Sequence, residues 1–284
     1  MNELATFFTQ PFGSSFMLRA AAAAVIVGAT VPLVGCWIQL RRLSYLGDAM
    51  SHATLAGIAL AYLLGMSITG GALMGGIAMA GLIALINSHP RLREDAAIGI
   101  VESVLFAIGI IIINRSTNIS VDLGHFLLGQ ITTVSEADLW LDLGLAAGAA
   151  AAIWFLFGDL LGATFDEDHA RQVGIPVGPL KTGLLVLLSI AIVISLQTVG
   201  LLLSVALLVI PAATARLVTQ RVASMSILAV LLGVGASLFG LTLAYHLATP
   251  AGATISLVSA AILALVAMAT APRRIRRPME VAHG

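Results

Sequence analysis

Residues 20–42 read AAAAAVIVGATVPLVGCWIQLRR. A long run without a single charge ends abruptly at Arg41 and Arg42. A transmembrane helix needs about 20 mostly apolar residues, and an arginine pair at its end marks the cytoplasmic side. The rest of the chain supports the same solvent. Hydrophobic residues make up 59% of the 284 positions and charged residues 10%, with a mean hydropathy of +1.04. A soluble domain carries about 25% charged residues. A soluble fold of this length could not bury so much apolar surface, so the bilayer is the solvent. The length allows about eight to ten spans and leaves no room for a soluble catalytic domain.

Apolar runs then divide the chain. Residues 1–14 form an N-terminal segment with interfacial character. Spans are expected at about 15–38, 43–64, 68–87, 96–114, 136–157, 182–197, 200–215, 222–245 and 253–271. Residues 115–135 are more polar, with room for a short or re-entrant helix at 121–131. The longest polar stretch is 158–181. Alternating these spans from an outside N-terminus puts twelve of the 14 Lys and Arg residues on the cytoplasmic side, with Arg19 and Arg115 the exceptions. That bias supports both the span count and the orientation. The short pair at 182–215 is expected as a helical hairpin that reaches only part way across the membrane. The membrane-spanning unit is 15–272, and 273–284 is a basic cytoplasmic tail that anchors to lipid. The expected fold is all-α, with about eight or nine transmembrane helices. Trp37, Trp140 and Trp154 fall near span ends, as an interfacial aromatic belt requires.

The single cysteine excludes an internal disulfide framework. Leu33-Val34-Gly35-Cys36 has the form of a lipoprotein cleavage site. Further spans follow directly, however, so Cys36 is expected as a buried thiol in the first span.

Arg41-Arg42-Leu43-Ser44-Tyr45-Leu46-Gly47-Asp48-Ala49-Met50-Ser51-His52-Ala53 carries the most chemistry. Asp48 and His52 are four residues apart and share one helix face. An ionisable residue inside a span is costly and marks a path or a site. Carboxylate with imidazole suits zinc, manganese or iron(II). Two ligands do not close a site, and a two-fold related copy would supply two more. The plainer alternative is a helix-capping Asp beside a packed His. Glu102 lies two turns into the fourth span. It is read either as a pathway residue in contact with metal, as a partner for a positive group, or as a protonated buried carboxyl. His125 in the 121–131 segment is a candidate for meeting incoming metal, or a surface histidine. His246 is a similar case in an outer turn, while His89, His169 and His283 read as solvated.

The string at 41–53 resembles the signature of the zinc/manganese/iron ABC importer permeases. Matching segments follow in order: Glu94-Asp95-Ala96-Ala97-Ile98-Gly99-Ile100, Leu127-Leu128-Gly129-Gln130-Ile131, residues 165–176, residues 199–216, and Thr249-Pro250-Ala251-Gly252-Ala253-Thr254. The resemblance covers about 15–272. It implies a type II-like importer permease of the bacterial cytoplasmic (inner) membrane that forms a homodimer. It also implies a separate cytoplasmic ATPase subunit and an extracytoplasmic solute-binding protein that delivers the metal. Asp48 and His52 fall on the positions where this family handles the ion. The cargo would be a divalent metal ion, zinc or manganese and possibly iron, with no permanently bound cofactor.

In that light the stretch 158–181 gains a role. A short helix at about 166–174, capped by Asp166 and closed by Gly174 and Pro176, would receive the motion of the ATPase through Asp166, Glu167 and Arg171. The alternative is an ordinary solvated loop. The chain has no Gly-x-x-x-x-Gly-Lys-[Ser/Thr] phosphate loop, no His-Glu-x-x-His and no Gly-x-Ser-x-Gly elbow, so neither ATP hydrolysis nor another enzymatic activity is expected of it. No nucleic-acid partner is expected. The rival function is a secondary metal transporter driven by an ion gradient.

Overall fold

The computed structural model describes residues 10–87, 89, 91–115 and 134–275. Among these, all regular structure is helical: a 3-10 turn at Pro11–Gly13, then α1 (Ser15–Leu40), α2 (Leu46–Leu64), α3 (Ile68–Asn87), α4 (Glu94–Arg115), α5 (Glu136–Phe155), α6 (Phe157–Phe165), α7 (Glu167–Gln172), α8 (Val177–Val218), α9 (Val222–Leu247) and α10 (Ala251–Ile275). Among the described residues, seven stretches are long and apolar enough to cross a bilayer: α1, α3, α4, α5, the first arm of α8 (Val177–Leu196), α9 and the Ala251–Ala271 part of α10. The other two expected spans are α2, which carries Asp48 and His52, and the shorter second arm of α8, Leu203–Val218. The segments at 121–131, with His125, and beyond 275 lie outside the described residues.

Local chemistry sets the helix ends. The α2 helix stops where Gly65 enters the left-handed region at φ 65. The α5 helix opens with a capping box, in which the Ser135 hydroxyl accepts from the Asp138 amide and Asp138 accepts from the Ser135 amide. Within α8, Gly200 takes φ 81 and ψ 172 and breaks the helix. The two arms return to the same end of α1. Lys181, near the start of α8, pairs with Glu167, which also reaches Arg41 at the end of α1. On the second arm, Leu208 lies against Gly35 of α1, and Ala212 and Ala215 share a buried cluster with Cys36. The chain therefore reverses at Gly200. This is the expected hairpin, and its first arm is a full 20-residue span rather than a partial one.

The core lies where α8 packs between α1, α3 and α10, and is filled by Trp37, Met50, Met79, Leu184, Leu188, Ile192 and Leu207. Small residues let helices touch through their backbones, as lipid-embedded packing requires. A Cβ placed on Gly57 of α2 would sit 2.0 Å from the Gly71 carbonyl oxygen of α3. Large apolar side chains such as Leu257, Leu265 and Met268 point outward, which is stable only against lipid. Trp140 and Trp154 are exposed, as an interfacial belt predicts, but Trp37 is fully buried and packs edge-on against Phe157 at 5.3 Å. The belt reading fails for Trp37, which is enclosed within the helix bundle with Phe157, at the start of α6, against its ring.

Candidate metal centre

The α2 helix begins at Leu46, on the side the charge rule assigns to the cytoplasm. Asp48 therefore lies in its first turn and His52 one turn further in. His52 Nε2 is 3.7 Å from Asp48 Oδ1. The α4 helix runs alongside α2 in the same direction. Tyr45 faces Glu102, His52 faces Phe106, and Ala56 faces Gly109. That register carries Glu102 to the Asp48–His52 face. One potential ligand atom from each of Asp48, His52 and Glu102 lies within 4.8 Å of the other two. Glu102, which the sequence leaves with three possible roles, is thus the third member of the cluster.

Two neighbours orient this cluster. The Tyr45 hydroxyl donates to Glu102 Oε2 at 2.9 Å. A tyrosine hydroxyl is protonated at neutral pH, so it can serve here as the donor to the Glu102 carboxylate. The Phe106 ring meets the His52 imidazole nearly perpendicular, with centroids 5.2 Å apart. Tyr45 lies inside the quoted sequence string, yet its spacing offers no hint that its hydroxyl would be spent on a residue 57 positions away. The Asp48 and His52 side chains are 37% and 34% exposed, so the cluster is open on one side.

Two carboxylates and one imidazole form a donor set that can hold a divalent first-row metal. Carboxylate oxygen favours manganese, and imidazole suits zinc and iron. Three side chains alone would leave coordination positions open on such a metal. His246 packs against Tyr245 at the end of α9, away from this cluster in the chain's register. His125 lies outside the described residues.

The cytoplasmic helix also forms. Asp166 caps α7 by accepting from the His169 amide at 2.9 Å, and Gly174 follows with φ 86. Glu167 is turned to the protein body, where it pairs with Arg41, Lys181 and Arg171. Of the three predicted contact residues, Asp166 and Arg171 are exposed and Glu167 is half-buried. The exposed Phe165 and Val173 flank α7.

Comparison with known proteins gives the family of the chain. The profile of the ABC 3 transport family matches residues 14–271. The manganese transport system membrane protein MntC of Halalkalibacterium halodurans is 39% identical over 265 residues, covering 93% of this chain and 91% of the relative. The chelated iron transport system membrane protein YfeD of Yersinia pestis is 34% identical, covering 92% and 87%. Among solved structures, PsaBC from Streptococcus pneumoniae in complex with Fab superposes with a TM-score of 0.82 at 37% identity, covering 93% of this chain and 95% of that one.

Proposed function

The chain belongs to the ABC 3 transport family as the multi-pass permease subunit of an ABC importer in the inner membrane, and we propose that it carries manganese, with iron(II) as second cargo, through Asp48, His52 and Glu102. Membership of this family sets aside the gradient-driven secondary transporter, and it makes the chain a transport component rather than an enzyme. The cluster of two carboxylates and one imidazole, open on one side, carries the proposal. Its second carboxylate tilts the donor set toward manganese relative to an Asp–His pair alone. The relatives named for manganese and for iron support the same order. Zinc remains a competitor to be measured.

The working assembly is two copies of this chain, a cytoplasmic ATPase subunit and an extracytoplasmic binding protein that hands over the ion. The open side of the cluster faces the path between the two copies. The metal sheds part of its hydration for Asp48, His52 and Glu102. Phe106 and Tyr45 hold the imidazole and the Glu102 carboxylate in place. ATP-driven movement delivered at α7, through the surface that includes Arg171, then opens the cytoplasmic side. Release follows because three side chains from one copy bind the ion without enclosing it.

Manganese uptake into vesicles that hold the chain with its ATPase and binding protein tests this reading. Asp48→Ala, His52→Ala and Glu102→Gln should each abolish ATP-dependent uptake while the complex still assembles. Uptake that survives all three substitutions would refute the site, and competition by iron(II) and zinc ranks the cargo.

A further inference from the structure

The α7 helix has six residues and a single buried one, Ala170. So small a contact gives it little grip on the body by packing. Its second attachment is electrostatic. Glu167 meets Arg41 at 3.8 Å and Arg171 at 3.6 Å, and also pairs with Lys181 at the start of α8. Arg41 caps the C-terminal end of α1, and its side chain is only 10% exposed. The same guanidinium nitrogen lies 3.7 Å from Glu94, the first residue of α4. Arg41 thus bridges two carboxylates from helices that do not follow one another in the chain.

Both ends of this bridge lead to the metal centre. Glu94 and Glu102 sit eight residues apart on one helix, about 12 Å along a continuous rod. Arg41 precedes Tyr45, the residue that holds Glu102, by four positions, and Asp48 by seven. Beside the bridge lies a cleft of about 480 Å³, lined by Asn87, Leu92, Glu94, Arg171, Lys181 and Thr182. Next to this cleft, Arg41 pairs with Glu167 of α7 and Glu94 of α4 and so joins the two helices by charge. A guanidinium can serve two carboxylates at once through its fixed fork of donors, whereas an ammonium is a single point charge.

We propose that Arg41 is the positioning residue that couples α7 to the metal centre, by tying Glu167 to Glu94 and so to Glu102. This rests on the reading of α7 as the ATPase contact and of Asp48, His52 and Glu102 as the metal centre. Arg41 does not touch the ion. It fixes how far α4 and the start of α2 follow α7 when α7 moves. Coupling through such a network changes by about 2–30-fold when one member is lost.

The test uses the complete complex in vesicles and reads two quantities together, manganese taken up and ATP hydrolysed. Arg41→Ala should lower the manganese delivered per ATP about tenfold with ATP hydrolysis retained. Arg41→Lys should recover part of that ratio. Glu94→Gln and Glu167→Gln each remove one end of the bridge and spare Arg41, so they judge the proposal even if Arg41→Ala fails to assemble. Each should lower the ratio, and the double variant should do no worse than either alone, as members of one unit behave. A wild-type ratio in Arg41→Ala, or losses that multiply in the double variant, would overturn the proposal. His52→Ala is run in parallel. If it leaves uptake intact, the metal-centre reading falls, while the manganese-to-ATP ratio of the other variants still judges Arg41.

Discussion

In the proposed metal centre, Gly109 sets whether Glu102 reaches Asp48 and His52. A Cβ built there would lie 3.0 Å from the Ala56 nitrogen and 3.2 Å from both the Ala56 Cα and the Leu55 carbonyl carbon. All three are backbone atoms of α2, so no side chain can rotate away. Ala56 stands one turn beyond His52, and Gly109 two turns beyond Glu102. Gly109→Ala forces α4 off α2 by a few tenths of an ångström. Gly109→Leu adds three more carbons at the same contact and demands a shift of about 1 Å, at a packing cost of about 1–3 kcal/mol. Metal–ligand distances tolerate about 0.2 Å, so the leucine variant takes Glu102 out of coordination while the alanine variant strains it. The expected loss in apparent manganese affinity is about 10–100-fold for leucine, and smaller for alanine. The assay is the initial rate of manganese uptake against manganese concentration in vesicles that contain the whole complex. Gly99→Ala is the control, since a Cβ at Gly99 meets nothing within 4 Å on the same helix. If Gly109→Leu assembles and transports with the affinity of Gly99→Ala, the α2–α4 approach does not set the site.

Tyr45→Phe removes the hydroxyl that holds Glu102 and leaves the ring. Apparent manganese affinity should fall about tenfold with assembly unchanged, read as a shift of the uptake curve. Asp142 sits on the core face of α5, 1% exposed, with no hydrogen-bond partner for either carboxylate oxygen among the described residues. Asp142→Leu should stabilise the folded chain by about 1–3 kcal/mol, seen as a higher melting temperature in detergent, and a lower one would show a partner for the carboxylate. Asp166→Ala removes the cap of α7 and should cost that helix about 1 kcal/mol. Faster amide exchange confined to residues 167–173 would report it, and unchanged exchange there would contradict the capping role.

Much of the fold was readable as a one-dimensional pattern. The expected span at 68–87 coincides with α3, and the one at 96–114 lies inside α4. Bilayer thickness imposes a minimum apolar length on every crossing, and unpaired backbone is forbidden in lipid, so hydropathy alone locates the helices. The same logic placed the hairpin around Gly200 and the short capped helix at 167–172, where Asp166 and Gly174 are local signals. Asp48 and His52 were likewise legible, because a separation of four on one helix brings two side chains to one face.

Lateral packing was not legible in this way. Glu102 joins Asp48 and His52 only because α4 lies parallel to α2 at one register, and that register depends on a backbone contact between Gly109 and Ala56. Trp37 lies near a span end as a belt residue would, and in the fold it is fully buried with Phe157 against its ring. Arg41 reads as a stop signal for a span, and in the fold it also joins Glu94 to Glu167. The run of apolar residues located the helices along the chain to within a few residues, and the placing of Lys and Arg set an expected orientation, since each of these follows from the free energy of placing a local segment in lipid or water. Which helices touch, and in what register, follows only from the packed fold. Between lipid-embedded helices the hydrophobic effect gives no preference for one neighbour over another, so the choice falls to close backbone contacts between residues far apart in the chain.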